Sequence, residues 1–408
     1  MKFAHLADCH IGCWRDPKLN KVVLEAFLEA VRKCIDAKVD FVLIAGDLFN
    51  TALPSIENLD KTVKILKILK EENIPVYCIP GSHDYSPSGK TMISVLESAG
   101  LLINVAKAEK DSGDRIKLKF TMDEKTGAKI TGLIGKKGGL ESEYYKMLDR
   151  ESLEKEDGFK IFLFHSAITE FKPKNLAEMS SIPLSLLPKG FSYYAGGHVH
   201  ARFKQDNIVF PGPLFPANFK EFEELEHGGF CIVDASCDGV EKVEFVPLKI
   251  RPYVGLRVNA DGKTPLQVKE EIVGFLDKGV ENAIVTIRVE GKLSKGKPSD
   301  VGFGEIFDRA YEKGAYFVMK NTAQLHGEEF REIKISATST EEIEEKLIRE
   351  HLQQFKIGLS KEKEESFIKE LLSGLDMDKE EGETTATFED RLKQNFDTIL
   401  KKYIDEID

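Results

Sequence analysis

The chain has 408 residues, enough for two or three domains, each with a core of its own. Hydrophobic residues make up 41% and charged residues 31%, which excludes a wholly disordered chain, a collagen and a coiled-coil rod. The formal net charge of -11 is concentrated at the C-terminal end: residues 341–408 carry 11 basic and 20 acidic residues, leaving 47 and 49 for residues 1–340. A near-neutral body does not advertise nucleic-acid binding, so any polyanion must meet a local cluster such as Lys117, Lys119, Lys136 and Lys137. The simpler reading of those lysines is a solvated edge strand or turn. No apolar run is long enough to span a membrane. The N-terminus places His5 and Asp8 where a signal peptide needs an uninterrupted apolar stretch, so a cytoplasmic protein with no membrane partner is expected. Cys9, Cys13, Cys34, Cys78, Cys231 and Cys237 show no repeating spacing and fit reduced thiols. A zinc site on Cys9 and Cys13 would need a second ligand pair, and none accompanies them.

Residues 1–248 alternate short apolar runs with amphipathic stretches, which predicts a layered α/β domain. Strands are expected at 3–7, 41–45, 76–79, 161–164 and 193–195, each apolar and each stopping at a polar cluster. Helices are expected at 19–37 and 56–72. After Arg251-Pro252 a second alternation begins: strand 254–258, helix 265–278, strand 283–289, helix 303–313 and strand 316–320. This predicts a small α/β domain over residues 249–337. From residue 338 the pattern is helical only. Ser339 and Glu342 form a capping-box pair ahead of Ile343, Leu347, Leu352 and Phe355. A second helix carries Phe367, Ile368, Leu371, Leu372 and Leu375, and residues 376–387 read as an acidic linker. A last helix places Phe388, Leu392, Phe396, Ile399 and Tyr403 on one face, suited either to packing on its own body or to docking a partner.

Five segments put metal-binding side chains just past a strand end: Asp8-Cys9-His10, Gly46-Asp47, Gly81-Ser82-His83-Asp84, His165 and Gly197-His198-Val199-His200. Strand alternation would turn Asp8 and His10 to one face and Cys9 away. Gly46, Gly81 and Gly197 would let the backbone turn sharply beside a ligand. A lone histidine on an apolar strand is ordinarily a satisfied core residue, and that reading holds for His5, His227, His326 and His351. The thiolate-free set of Asp8, His10, Asp47, His165, His198 and His200, with Ser82, suits Mn²⁺, Fe²⁺, Co²⁺ or Zn²⁺. It is too large for one ion and suits two, about 3.5 to 4 Å apart, with Asp47 as the expected bridge.

These five pieces, in this order, resemble the calcineurin-type metallophosphoesterase superfamily. Within it, Lys2-Phe3-Ala4-His5-Leu6-Ala7-Asp8, Gly46-Asp47-Leu48-Phe49 and Pro211-Gly212-Pro213-Leu214 resemble the prokaryotic double-strand-break-repair nucleases of the meiotic-recombination-eleven and SbcD family. The motif match covers residues 1 to about 215; the remainder resembles that family in architecture. The resemblance implies a metallophosphoesterase β-sandwich flanked by helices, a small α/β capping domain that contacts DNA, and a helical tail that docks an ATPase. It implies one ion, Mn²⁺ by preference, held by Asp8, His10, Asp47 and His200, and another held by Asp47, Ser82, His165 and His198. His83 would then not be a ligand; it would stabilise the pentacovalent phosphate or protonate the leaving oxygen, a task that suits an imidazole.

Two departures stand out. The family's loop normally reads Gly-Asn-His, and Ser82 offers a shorter hydroxyl where the amide carbonyl would bind the second ion. Asn50 and Pro213 replace a histidine and a serine common among relatives. The function implied is a two-metal DNA endo/exonuclease in double-strand-break repair, a nucleoid-associated homodimer through helices near residues 56–72 and 88–99, acting with a coiled-coil ABC-type ATPase. Competing readings are a small-molecule phosphodiesterase or nucleotidase on the same site, and a weakly active scaffold for the ATPase. Leu48-Phe49-Asn50 after Gly-Asp speaks against a protein phosphatase.

Overall fold

The computed structural model describes residues 1–86, 91–110, 115–136, 141–172, 179–277, 279–327, 348, 359–380, 383 and 385–404. It divides into two units, Met1–Glu328 and Glu329–Asp408. In the first unit, β1 (Lys2–Leu6), β2 (Phe41–Ala45), β3 (Val76–Ile79) and β4 (Ile103–Asn104) run parallel. The hairpin of β15 (Gly228–Ser236) and β16 (Gly239–Leu248) joins beside β1, giving the order β16-β15-β1-β2-β3-β4. A second six-stranded sheet has the order β13-β14-β12-β9-β8-β7, from β7 (Thr121–Met122), β8 (Lys129–Gly132), β9 (Lys160–His165), β12 (Tyr193–Gly197), β13 (Phe203–Gln205) and β14 (Ile208–Phe210). Two small ribbons, β5 (Ala108–Lys110) with β6 (Ile116–Leu118) and β10 (Ala167–Ile168) with β11 (Ser181–Ile182), complete the set.

Period-two alternation explains the layering. In β2, Phe41, Leu43 and Ala45 pack toward the second sheet with Ile161, Leu163, Tyr193 and Ala195. Val42 and Ile44 point the other way, onto α1 (Pro17–Asp36), α2 (Ile56–Glu71) and α3 (Met92–Ser98). The outer face of the second sheet, through Phe162, Phe164 and Phe210, is covered by Tyr145 of α4 (Glu141–Met147) and Leu153 of α5 (Arg150–Glu154). The result is the expected sandwich between helical layers. Side chains stop the helices fraying at their starts: Asp16 accepts from the Lys18 amide ahead of Pro17, and Ser55 from the Asn58 amide.

After the short helix α6 (Phe219–Leu225), the same unit continues into a parallel sheet of β17 (Tyr253–Asn259), β18 (Ile284–Lys292) and β19 (Phe317–His326). Its crossovers are α7 (Pro265–Leu276) and α8 (Phe303–Glu312), in the order expected from the sequence. Val258, Val268, Ile272, Val285, Ile287 and Ile306 give this layer its own apolar core.

In the second unit, helices Lys361–Leu375 and Thr385–Ile404 pack together. The rings of Phe367 and Tyr403 meet at 5.0 Å, and Asn395 donates its amide to the Gly374 carbonyl. Part of the predicted stripe is thus used within the pair, whereas Leu372, Leu375 and Phe396 are exposed. The capping pair Ser339 and Glu342 and the stripe Ile343, Leu347, Leu352 and Phe355 lie outside the described residues, as do Lys137 and His351. Among the described residues no helix is long and apolar enough to cross a membrane.

Candidate metal centre

The loops after β1, β2, β3, β9 and β12 converge where the two sheets meet. The first two continue pairing beyond their strands: the Asp8 amide donates to Gly46 O (3.2 Å), His10 N to Asp47 O (2.9 Å) and Ile11 N to Leu48 O (3.0 Å). Asp8 and His10 do share one face, as expected, but not through strand alternation. β1 ends at Leu6, and both residues lie in the left-handed region, φ 49° and 43°. Asp47 (52°) and His198 (86°) share that strain, so four of the nine described non-glycine residues with positive φ belong to the predicted site. Such conformations cost on the order of 1 kcal/mol or more each and cluster where function demands them. Cys9 does turn away, into the core beside Ile11.

The role expected of the glycines also needs correction. Gly46 has φ 87° and makes the sharp turn, but Gly81 and Gly197 do not use positive φ. They are needed for close approach: a Cβ on Gly81 would overlap the Asp47 carboxylate, and one on Gly197 the Ala45 carbonyl oxygen.

The buried carboxylates of Asp8 and Asp47 lie against imidazoles. His165 Nε2 lies 3.1 Å from Asp47 Oδ2 and 3.9 Å from Asp8 Oδ1. His10 Nε2 lies 3.7 Å from Asp47 Oδ2 and 4.0 Å from Asp8 Oδ1, and His200 Nε2 3.7 Å from Asp8 Oδ1. His10 and His200 face each other, Nε2 to Nε2, at 3.0 Å. Three sets of donor atoms lie within 4.8 Å of one another among the described residues: Asp8, His10 and His200; Asp8, Asp47 and His165; and His10, Asp47 and His83. His198 is in none of the three, although its ring lies 5.2 Å from that of His165 and its amide donates to both oxygens of Asp8. Ser82 is buried, its Oγ donating to Asp47 Oδ2 at 3.5 Å. Neither Cys9 nor Cys13 joins a donor set among the described residues.

Hydrogen bonds aim the rings. His165 donates Nδ1–H to Ala45 O (2.8 Å), so its Nε2 turns to the carboxylates, 3.1 Å from Asp47 Oδ2. His200 donates Nδ1–H to Glu221 Oε1 (2.8 Å). His83 is held twice, by its amide to Asp47 Oδ1 and its Nδ1 to Asn50 O, both at 2.7 Å.

The electrostatics follow from this packing. Burial lowers His10 and His198 to about 3, each pushed further by a neighbouring histidine. Burial also opposes charge on His165 and His200, but Asp47 raises the first to about 10, and the Glu221 hydrogen bond with the Asp8 charge raises the second to about 9. Burial pushes Asp8 up, whereas at Asp47 burial is outweighed by His165, His10 and the His83 amide together, which hold it well below the usual carboxylate range. Two buried carboxylates among imidazoles and without a thiolate call for compact positive charge, and this donor set fits borderline divalent cations.

Two residues without a predicted role complete the arrangement. Asp84 is buried and accepts from the amides of Leu48, Phe49 and Gly81 at 3.0 to 3.1 Å, clamping the loops after β2 and β3 together. Burial and the Asp47 charge push its carboxyl up to about 7. Glu221 is the second; its sequence signal is Asn218-x-x-Glu221, a helix-start pattern, with the Asn218 side chain accepting from the Glu221 amide. Away from the centre, Lys117 is exposed on the β5–β6 ribbon, Lys119 pairs with Glu109, and Lys136 lies over the rings of Tyr144 and Tyr85.

Residues 1–202 match the family model described as calcineurin-like phosphoesterase. The chain is 26% identical over 347 residues to the DNA double-strand break repair protein Mre11 of Archaeoglobus fulgidus, covering 77% of this chain and 75% of that one. It is 30% identical over 277 residues to the Mre11 protein of Methanococcus maripaludis, covering 62% and 68%. It is 29% identical over 278 residues to that of Methanocaldococcus jannaschii, covering 63% and 69%.

Proposed function

The chain belongs to the Mre11 family of calcineurin-like phosphoesterases, metal-dependent phosphodiesterases, and from that premise we propose that it is a two-metal DNA nuclease of double-strand break repair. The observation that carries this reading is the pair of buried carboxylates, Asp8 and Asp47, ringed by imidazoles within 4 Å. One ion is assigned to Asp8, His10, Asp47 and His200, the other to Asp47, Ser82, His165 and His198. Mn²⁺ suits these ligands better than Mg²⁺, which prefers oxygen donors and keeps its waters; Fe²⁺, Co²⁺ and Zn²⁺ fit the same chemistry. When bound, such ions polarise a phosphate ester and make a hydrolytic water acidic enough to react near neutral pH.

The protein's own contribution is placement. His165 and His200 are fixed in one tautomer by Ala45 O and Glu221, which leaves their Nε2 atoms for the ions. His83, anchored through Nδ1 and its amide, is assigned the proton transfer to the leaving oxygen. Residues 1–248 are the nuclease domain in this reading, 249–337 a capping domain that contacts DNA, and 338–408 the segment that docks a coiled-coil ABC-type ATPase. Exposed Leu372, Leu375 and Phe396 support the docking role; exposed Leu53, Ile56 and Val95 on and before α2 and α3 support a homodimer through that face.

The test is plasmid nicking and end resection by the purified chain with chelator, Mg²⁺ and Mn²⁺. Activity should vanish on chelation and return best with Mn²⁺. Hydrolysis that survives exhaustive chelation refutes the metal mechanism, and turnover of nucleotides with DNA left intact replaces the nuclease by a small-molecule phosphodiesterase.

A further inference from the structure

Helix α6 has two residues of the same type facing different structures. Glu221 is buried, and its carboxylate is filled: Oε1 accepts from His200 Nδ1 (2.8 Å) and Asn218 Nδ2 (2.6 Å), and Oε2 accepts from the Ala217 amide (2.8 Å). Three donors leave it little freedom to move, so where α6 goes, the imidazole of His200 must follow. Two positions on, about 200° around the helix, Glu223 is held bidentately by Arg288 of β18, Nε to Oε1 at 2.7 Å and Nη2 to Oε2 at 2.6 Å. Both members of that pair are partly buried, and their fork-to-fork geometry constrains orientation as well as distance.

Aromatic packing reinforces the same connection. The Arg288 guanidinium lies over the ring of Phe219, 5.3 Å from its centroid. Phe222, between the two glutamates, stacks on Tyr253 of β17 at 5.8 Å and 18°, and also meets Phe215 and Trp14. Seven residues of helix therefore touch a candidate ligand on one side and two strands of the β17–β18–β19 layer on the other.

We propose that α6 is a strut in which Glu221 positions His200 and the Glu223–Arg288 pair fixes the helix, so that the seating of the β17–β18–β19 layer sets the geometry of one ion site. Glu221 and Arg288 are positioning residues, acting through His200. The proposal deepens the two-ion reading and rests on it. Coupling of this kind is reciprocal: whatever loosens the layer weakens the ion at His200, and that ion in turn secures the layer.

The test is calorimetric titration of Mn²⁺ into the full chain and into Glu221→Gln and Arg288→Met, with circular dichroism to verify folding. The visible spectrum of Co²⁺-loaded protein gives a second readout of ligand geometry. Two ions should bind the unmodified chain; if they do not, the two-ion reading fails before any variant is compared. Glu221→Gln should weaken one ion by roughly 10- to 100-fold, as loss of a partner to a metal-bound histidine does, and leave the other unchanged. Arg288→Met, which touches no candidate ligand, should weaken the same ion by several-fold and alter the Co²⁺ bands, and Arg288→Lys should recover part of the loss. Unchanged affinities in both folded variants overturn the proposal. So does equal weakening of both ions by Arg288→Met, because a generally loosened fold does not select one site. An effect of Glu221→Gln alone removes the link to Arg288.

Discussion

Gly197→Ala adds one methyl group where the two sheets meet beside the site. Gly197 pairs in register with His165, and its added Cβ would overlap the Ala45 carbonyl oxygen and lie 2.7 Å from His165 Nδ1. Both atoms belong to the 2.8 Å hydrogen bond that fixes the His165 tautomer, and one is backbone in the middle of the sandwich, so neither yields easily. Overpacking of this kind costs about 1 to 3 kcal/mol, and a buried donor left without its acceptor about 1 to 3 more. Together that is roughly 2 to 6 kcal/mol against a typical domain stability of about 5 to 15. Gly274→Ala is the control: Gly274 is exposed within α7 with nothing within 4 Å of its added Cβ, and should gain about 0.5 to 1 kcal/mol. Urea midpoints of the two variants and the unmodified chain, all in chelator, measure both effects, and Mn²⁺ titration should show the His165 site weakened in Gly197→Ala. A Gly197→Ala midpoint equal to that of the unmodified chain would falsify the close-packing argument.

His83→Gln should leave the bound-metal content unchanged while slowing hydrolysis by roughly 100-fold or more; loss of an ion instead makes His83 a ligand, as its proximity to His10 and Asp47 allows. Ser82→Asn should tighten the second ion by roughly 10-fold, about 1.4 kcal/mol, and move half-maximal activity to lower Mn²⁺; a loss of affinity means that the loop is fitted to the hydroxyl. Burial lowers His5 to about 3 against 6.5 for an ordinary histidine, with Nδ1 held 2.9 Å from the Tyr193 hydroxyl. The unfolded chain therefore binds a proton that the folded chain refuses between those values, and stability falls as pH drops through that window. At pH 5 this group alone costs about 2 kcal/mol relative to pH 8, and His5→Asn should remove that share; equal pH dependence of the two urea curves in chelator would sink the argument.

Much of the architecture is legible in the sequence because buried parallel strands are short, apolar and abruptly ended. Phe41–Ala45 and Val76–Ile79 are found at their expected limits, and the β17 to β19 alternation follows the expected order. The reading in chain order passes from Ala195 to Val254 without a strand, yet β13 to β16 lie there. β16 carries Glu241, Lys242 and Glu244 along an edge, which dilutes the apolar signal. At the site, residue types are enough to single out side chains that converge, but not their backbone. Nothing in Asp8-Cys9-His10 announces two left-handed positions on either side of Cys9, because that conformation is imposed by pairing with Gly46 to Leu48. Glu221 is hidden for another reason: it lies 21 residues from His200, and the pattern around it signals only the start of a helix.

The spread of the donors along the chain has a consequence for the nascent protein. His10 meets His200 and Asp8 meets the His198 amide across 190 residues of sequence, and β1 is completed on its free side only by β15, at Gly228–Ser236. A chain still being synthesised, or one cut short before residue 198, has Asp8, His10, Asp47 and His83 without His198 and His200, and one cut short before the hairpin leaves β1 unpaired on that side. The full set of candidate donors thus comes together only when strands of both sheets are in place, and a copy cut short before His198 lacks part of it. The fold acts as its own quality control, because the lesion that spoils the sandwich also scatters the donors.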